Sequence, residues 1–377
     1  MAEGAVNGLV ITAVAVPQAG DRGSGTEREP DLLACRALRD AHHLALWGNL
    51  DRASTLREDQ EYWRGNGYED RLQYLARLDG APVGTCSVVL PLKENTATAW
   101  IEVLVAAPHR RQGIGRRLLA CAEEVARERG RTVFDGYCEE PLSHSKAMAD
   151  DHGGPGDLLP AKSGSGGVPL NGASTRFALA CGYELEQVER SSMLPLPVES
   201  GVLDRLGADA RAYADGYRTV GWQGSCPDTL VDAYAGLKSR MSADVPTAGL
   251  EVEAEEWDAA RVRAEEQSWA RGGVDSLVAA VQHRASGELV AYTLLSHRPE
   301  RPHVLIQEDT LVTGPHRGHR LGMLAKIANI RRAGEVWPAA RSVITWNASE
   351  NRHMLAINIS LGFKPAGFEG EWQKRLE

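Results

Sequence analysis

Residues Pro108 to Leu119 read PHRRQGIGRRLL, and those residue types at that spacing suit one task, the holding of phosphate oxygens. Arginine supplies a forked, permanently charged donor, and glycine lets backbone N–H groups come close to a ligand. The positive end of a following helix reinforces both. A second stretch, Pro315 to Leu324, reads PHRGHRLGML. Pro108 and Pro315, Arg110 and Arg317, and Gly115 and Gly322 are each 207 residues apart, and a fixed offset of this kind marks an internal repeat.

The flanks show what must position these loops. Trp100 to Val105 (WIEVLV) and Val304 to Val312 (VLIQEDTLV) are apolar runs of strand character that lead into them. After the first loop, Leu118, Leu119, Ala122, Val125 and Ala126 recur at helical spacing, so the order is strand, tight loop, helix. Before it come an opening strand, Leu9 to Val16, helices over about 31–47 and 55–63, and a hairpin of Leu72 to Leu78 with Val83 to Leu90 around Asp79-Gly80. The second half repeats the plan, with helices near 228–241 and 255–270 and strands near 276–283 and 289–296. Each half closes on a short helix ending in a glycine-aromatic pair, Gly182-Tyr183 and Gly362-Phe363, which lie only 180 residues apart. The difference falls on a stretch at about 139–172 that is rich in Gly, Pro and Ser and is expected to be a flexible insertion.

Composition bounds the function. A chain of 377 residues exceeds one ordinary core, and 43% hydrophobic with 25% charged residues is normal for a folded protein. The formal charge of −9 argues against a nucleic-acid partner, so the arginine clusters point to one small polyanion. No apolar run approaches the roughly 20 residues that span a bilayer, and a cytoplasmic location is expected. Six scattered cysteines without a C-x-x-C pair suggest neither a disulfide framework nor a zinc site, and no metal is assigned.

A strand, then V-x-x-P-x-R-x-x-G-x-G, a helix, a strand and a short helix ending in L-G-F resembles the GNAT superfamily of acyl-CoA-dependent acyltransferases, and two copies give the layout of its tandem members. The resemblance implies an α/β fold of two GNAT-like domains, residues 1–197 and 198–377. Each would carry a mixed, mostly antiparallel sheet, splayed at a bulge in the acyl-donor site and flanked by helices. It implies that CoA is held by Leu104 and Val105 on the strand and by Arg110, Gln112, Gly113, Ile114 and Gly115 in the loop. In the second copy the equivalents are Leu311, Val312, Arg317, Gly318, His319, Arg320, Leu321 and Gly322. Arg320 replaces the usual first glycine, which is costly if that residue needs a positive φ and harmless if it lies in the first helical turn. The second loop is therefore the weaker match, while the second half has the richer acceptor-side polar set, with Asn347 and Asn351 as expected substrate contacts and Asn358 beyond them.

The implied activity is transfer of an acetyl or longer acyl group from acetyl-CoA or another acyl-CoA to an amine, by direct attack and without metal. Two alternatives stay open: an acyl-carrier-protein donor or a peptide acceptor, and a non-catalytic acyl-CoA-binding protein. Orienting two reactants can supply about 7 to 11 kcal/mol, against about 10² to 10⁴ in rate from a general base. Glu102 and Asp309 hold equivalent strand positions and are the candidate bases, with Glu308 expected on the opposite face from Asp309. The family's acid is a tyrosine four residues before the closing glycine; Ala178 and Asn358 stand there, so neither half has that acid, and of these two positions only Asn358, the third candidate catalytic residue, keeps a polar group.

Overall fold

The computed structural model describes residues 8–16, 29–144 and 158–376. The first half runs β1 (Leu9–Ala13), α1 (Glu29–Trp47), α2 (Leu56–Tyr62), β2 (Glu69–Leu78), β3 (Ala81–Pro91), β4 (Thr98–Val105), α3 (Ile114–Glu128) and β5 (Val133–Pro141). It continues with a small hairpin, β6 (Leu158–Pro160) and β7 (Gly167–Pro169), then α4 (Ala173–Ala180) and β8 (Glu184–Pro195). The second half runs α5 (Ser200–Arg211), β9 (Tyr217–Gln223), α6 (Val231–Asp244), α7 (Ala259–Gly272), β10 (Asp275–His283), β11 (Leu289–His297) and β12 (Val304–Val312). It ends with α8 (Leu321–Val336), β13 (Ser342–Ala348), α9 (Arg352–Leu361) and β14 (Lys364–Arg375).

Local chemistry explains the punctuation. Asp79 and Gly80 both take positive φ, 50° and 86°, the conformation a two-residue hairpin turn needs to match strand twist. Thr55 caps α2 in a reciprocal box with Glu58. Helix α3 buries Ile114, Leu118, Leu119, Ala122 and Ala126 along one stripe, packed on β3 and β4. Each such leucine is worth about 2 kcal/mol of burial, which fixes where the preceding loop must sit. Within 139–172, where composition suggested a flexible insertion, 139–141 continue β5 and the β6–β7 hairpin places Val168 in the first core. Residues 145–157 of that insertion lie outside the described residues.

The sheet is where the chain departs most from a string of two units. Twelve strands form one sheet in the order β1-β2-β3-β4-β5-β14-β8-β13-β12-β11-β10-β9. Only β4 with β5 and β12 with β13 are parallel, so the expected α/β class with a mixed, mostly antiparallel sheet holds. Strand β14 lies between β5 and β8, and β8 lies between β14 and β13, so each half's closing strand has both its neighbours in the other half. Glu189 and Glu369, 180 residues apart, face each other in the β8–β14 ladder. The repeat's pseudo-twofold axis therefore passes between these two glutamates, and the helices α1, α2, α6 and α7 come to lie on one side of the sheet. Among the described residues no helix is long and apolar enough to cross a membrane.

Candidate active site

Both loops are built alike. A one-turn helix, Ala107–His109 or Gly314–His316, turns the chain out of the strand. The arginine after it then reaches back, Arg110 Nε donating to the Val105 carbonyl at 2.9 Å and Arg317 Nε to Val312 at 3.1 Å. Two residues of each loop are left-handed: Arg111 and Gly113 at φ 63° and 84°, Gly318 and Arg320 at 85° and 53°. Gly113 and Arg320 are the N-caps of α3 and α8, so the amides of the first helical turn point out of each helix end without an intrahelical acceptor. Of the two readings of Arg320, the costly one is realised, but Arg111 bears the same strain in the first loop. Gly115 and Gly322 serve close packing instead: a Cβ would come within 3.3 Å of Phe177 and of Ile357, respectively.

The charges differ more than the backbones. Arg317 pairs with Asp244 at 2.9 Å, and Arg320 with Asp209 at 3.1 Å while stacking on Tyr213. His319 Nδ1 meets the Tyr213 carbonyl at 3.0 Å. Among the described residues, no acidic partner lies within 4.0 Å of Arg110, Arg111 or Arg116. Gln112 donates to the Pro108 carbonyl. Leu104, Leu311, Ile114 and Leu321 bury their side chains in the cores, so what those four positions offer a ligand is backbone.

The strand before each loop is splayed. Strand β4 pairs with β5 only over Thr98 to Trp100, and β12 with β13 only over Val304 to Ile306. One backbone edge of each strand is left without a ladder over the remaining residues. In β4 the ladder to β3 stays regular through Glu102. In β12 the register slips, with Leu295 opposite Gln307 and Thr293 opposite Thr310. Two residues, Glu308 and Asp309, thus oppose one, which is a β-bulge. The expected bulge is present in the second half only. Three donors brace it by reaching the Asp309 carbonyl: Gln307 Nε2 at 3.1 Å, Thr293 Oγ1 at 3.3 Å and Thr310 Oγ1 at 2.8 Å.

The bulge corrects the expectation that Glu308 and Asp309 point to opposite faces. Alternation fails across a bulge, and both carboxylates lie on the α6–α7 side. Asp309 accepts the Tyr292 hydroxyl at 2.9 Å and pairs with buried Lys238 at 3.5 Å, so its charge is already spent on the fold. Among the described residues Glu308 accepts only Ser296 Oγ, at 2.5 Å, and desolvation pushes its carboxyl above the usual range against the pull of Ser296 and Arg298. Glu102 has no hydrogen bond or ion pair to another described residue. Burial raises its carboxyl too, Arg39 opposing and Asp59 adding to the shift.

Other polar groups of this face were not singled out from sequence. Across β5, β14 and β8, Glu139, Glu369 and Glu189 stand in register. Glu139 accepts Trp47 Nε1 at 3.0 Å and has Arg52 at 4.0 Å. Glu189, Glu369 and Glu371 bring carboxylate oxygens within 4.8 Å of one another. Burial, with the Glu350 charge adding to it, pushes Glu189 up to about 7, and burial with the Glu189 charge pushes Glu371 up to about 8 against the pull of a hydrogen bond with Glu369. The row was illegible in the sequence because β14 reaches β5 only through strand exchange; the available signal was that Glu189 and Glu369 are repeat equivalents. On the second half's donor side, Asn358 is 2% exposed and donates Nδ2 to Asn347 Oδ1 at 2.7 Å, while its own Oδ1 has no partner. Asn351, expected to touch substrate, caps α9 by accepting from the Met354 amide.

Comparisons with known proteins fit this geometry. Residues 38–153 match the acetyltransferase (GNAT) family. A tandem GNAT protein from the clavulanic acid biosynthesis pathway is 25% identical with a TM-score of 0.71, covering 97% of this chain and 98% of that one. A GCN5-related N-acetyltransferase from Sphaerobacter thermophilus shares the fold at 14% identity and TM-score 0.61, over 98% of this chain and 96% of that one. No curated protein matches the sequence. Matching loops, paired splays, a GNAT-family domain over residues 38–153 and a tandem GNAT relative aligned over nearly the whole length agree: the chain carries a GNAT domain in its first half and has the two-domain GNAT layout of that relative.

Proposed function

We propose that the protein is an N-acyltransferase that moves an acetyl or longer acyl group from a CoA thioester to an amine, with donor binding and chemistry both in the first half. The observation that carries this reading is the pairing, on one short strand-loop unit, of an uncommitted carboxylate with uncommitted arginines. Glu102 is free of ion pairs to described residues, and among those residues Arg110, Arg111 and Arg116 face no acidic partner, while the second loop's arginines, Arg317 and Arg320, pair with Asp244 and Asp209. The loop fits a pyrophosphate by its left-handed Gly113, its outward amides and its charge.

The remaining steps belong to this chain's own residues. The unpaired edge of β4 beyond Trp100 can hold an extended donor as an added strand would be held. Its N–H groups near Val105 sit where charge develops on the thioester oxygen, the type of stabilisation that is usually the largest single term. Glu102 takes the proton as the amine nitrogen forms its new bond to the acyl carbon, and the thiolate leaves. Ala178 supplies no acid at the family's tyrosine position, so the thiolate departs unprotonated. The test is release of CoA thiol by purified protein with acetyl-CoA and longer acyl-CoAs against an amine panel. No thiol above background with any pair sinks the reading.

A further inference from the structure

A cavity of about 400 Å³ lies between α2 of the first half and α7 of the second. It is held open by cross-half contacts: Arg298 to Glu58 at 2.8 Å, Arg271 to Glu61 at 2.7 Å, and Arg57 Nε to the Arg271 carbonyl at 2.6 Å. Its size falls in the range of small-molecule sites, roughly 300 to 1,000 Å³. None of the donor-loop residues lines it, nor does Glu102. We propose that this cavity is a second small-molecule site, made by both halves, that takes a primary ammonium ion carried on an apolar body.

Three features set that ligand class. The lining has six glutamates against three arginines, so an entering charge must be positive to find compensation. Tyr62, Tyr68, Trp257 and Trp269 form much of the wall, and aromatic faces accept both a cation and an apolar body. Glu308 is the third and most specific. The bulge turns it into the cavity, Ser296 Oγ bonds Oε1 and no described hydrogen-bond partner reaches Oε2. A carboxylate in the cavity wall with one oxygen unpartnered among the described residues is open to a charge-assisted contact, and an ammonium group, with three donors, supplies it. The other glutamates are held by the protein, Glu265 by Lys238 at 2.9 Å and Glu255 by Arg261 at 3.3 Å, so they set the field while Glu308 makes the contact.

The test is calorimetry on the full chain with three near-isosteric probes: phenethylammonium, 2-phenylethanol and phenylacetate. The cation should bind at least about tenfold tighter than the alcohol, and the anion should not bind, because a charge-assisted contact is worth roughly 1.5 to 3 kcal/mol. Glu308→Gln in the second half and Tyr68→Ala in the first should each weaken phenethylammonium about tenfold, with melting curves reporting that both variants fold. Glu102→Gln should leave its affinity unchanged. Equal binding of the three probes, no binding of the cation at millimolar concentration, or unchanged affinity in Glu308→Gln overturns the proposal. Loss of binding in Glu102→Gln also overturns it, by assigning the ligand to the transfer site. Thiol release is read separately, so failure here leaves the proposed activity standing.

Discussion

The two phosphate-type loops solve the same backbone problem with the same two residue types in opposite order. The first places arginine and then glycine at its left-handed positions, Arg111 and Gly113; the second places glycine and then arginine, Gly318 and Arg320. Counting glycines against a motif makes the second loop look defective, whereas each loop in fact carries one strained arginine. What separates them is the surroundings. Asp244 and Asp209 neutralise the second loop's arginines, whereas Arg110, Arg111 and Arg116 of the first loop meet no acidic group among the described residues. The same contrast recurs deeper in each half, where Glu102 is uncommitted and Asp309 is locked to Lys238 and Tyr292.

The largest effect that can break this comparison is on the rate. Glu102→Gln should lower kcat by about 10² to 10⁴, the usual worth of a general base, while Asp309→Asn should leave kcat within about twofold and lower the melting temperature by removing one partner of a buried lysine. Burial raises the Glu102 carboxyl above its ordinary value. The base works ionised, so kcat/KM should fall as pH drops through that raised pKa. Asp309→Asn should keep this acid limb in a pH-rate profile and Glu102→Gln should lose it. The reverse assignment moves catalysis to the second half.

Next in size is a difference in the cores. Leu119 on α3 has its repeat equivalent in Lys326 on α8, a lysine 1% exposed whose ammonium lies 5.7 Å from the Phe363 ring. Burial alone pushes it down to about 7 from 10.5. A depressed lysine costs nothing above the unfolded value; the penalty grows as pH falls toward 7 and is complete below it. At about 1.4 kcal/mol per unit, Lys326→Leu should stabilise the protein by a few kcal/mol at pH 7 and by little near pH 10.5. Denaturant unfolding at both values tests this, and an equal gain at both would refute the buried-charge account.

A smaller effect separates the loops as donor sites. Wild-type protein should titrate with one acyl-CoA per chain. Arg116→Ala should weaken that binding about tenfold, the scale of one charge-assisted contact. Asp209→Asn with Asp244→Asn should free Arg320 and Arg317 and raise the stoichiometry toward two. A wild-type stoichiometry of two would show that neutralisation does not silence the second loop.

Much of this was legible from residues alone. The 207-residue offset, the turn at Asp79-Gly80 and the apolar stripe of α3 are local signals, and local signals fixed the strand-loop-helix units and the α/β class. Three things were not local. Strand β14 was missed because its place is set by a gap between β5 and β8 that exists only once both halves have folded. The Glu308 side was misjudged because alternation assumes a regular ladder, and the slip opposite Thr293 depends on Gln307 and Thr310 reaching one carbonyl. The neutralisation of the second loop depends on Asp209 and Asp244, more than 70 residues away in sequence from the arginines they meet.

The smallest effect tests the loop comparison at its root. A non-glycine residue held left-handed costs about 1 kcal/mol, and Arg111 and Arg320 share that cost but differ in what their side chains regain. Arg320 has Asp209 and the Tyr213 face, worth together up to about 1 kcal/mol at a partly exposed site. Arg111 has no acidic partner among the described residues. Arg111→Gly should therefore stabilise the protein by up to about 1 kcal/mol, while Arg320→Gly should come out near zero as relief and loss cancel. Gly113→Arg, which puts a second strained arginine in one loop, should cost about 1 kcal/mol. Denaturant midpoints resolve shifts of this size when the slopes are unchanged. If Arg320→Gly proves as stabilising as Arg111→Gly, the contacts to Asp209 and Tyr213 contribute nothing, and the second loop's arginine is as free to meet a phosphate as the first's.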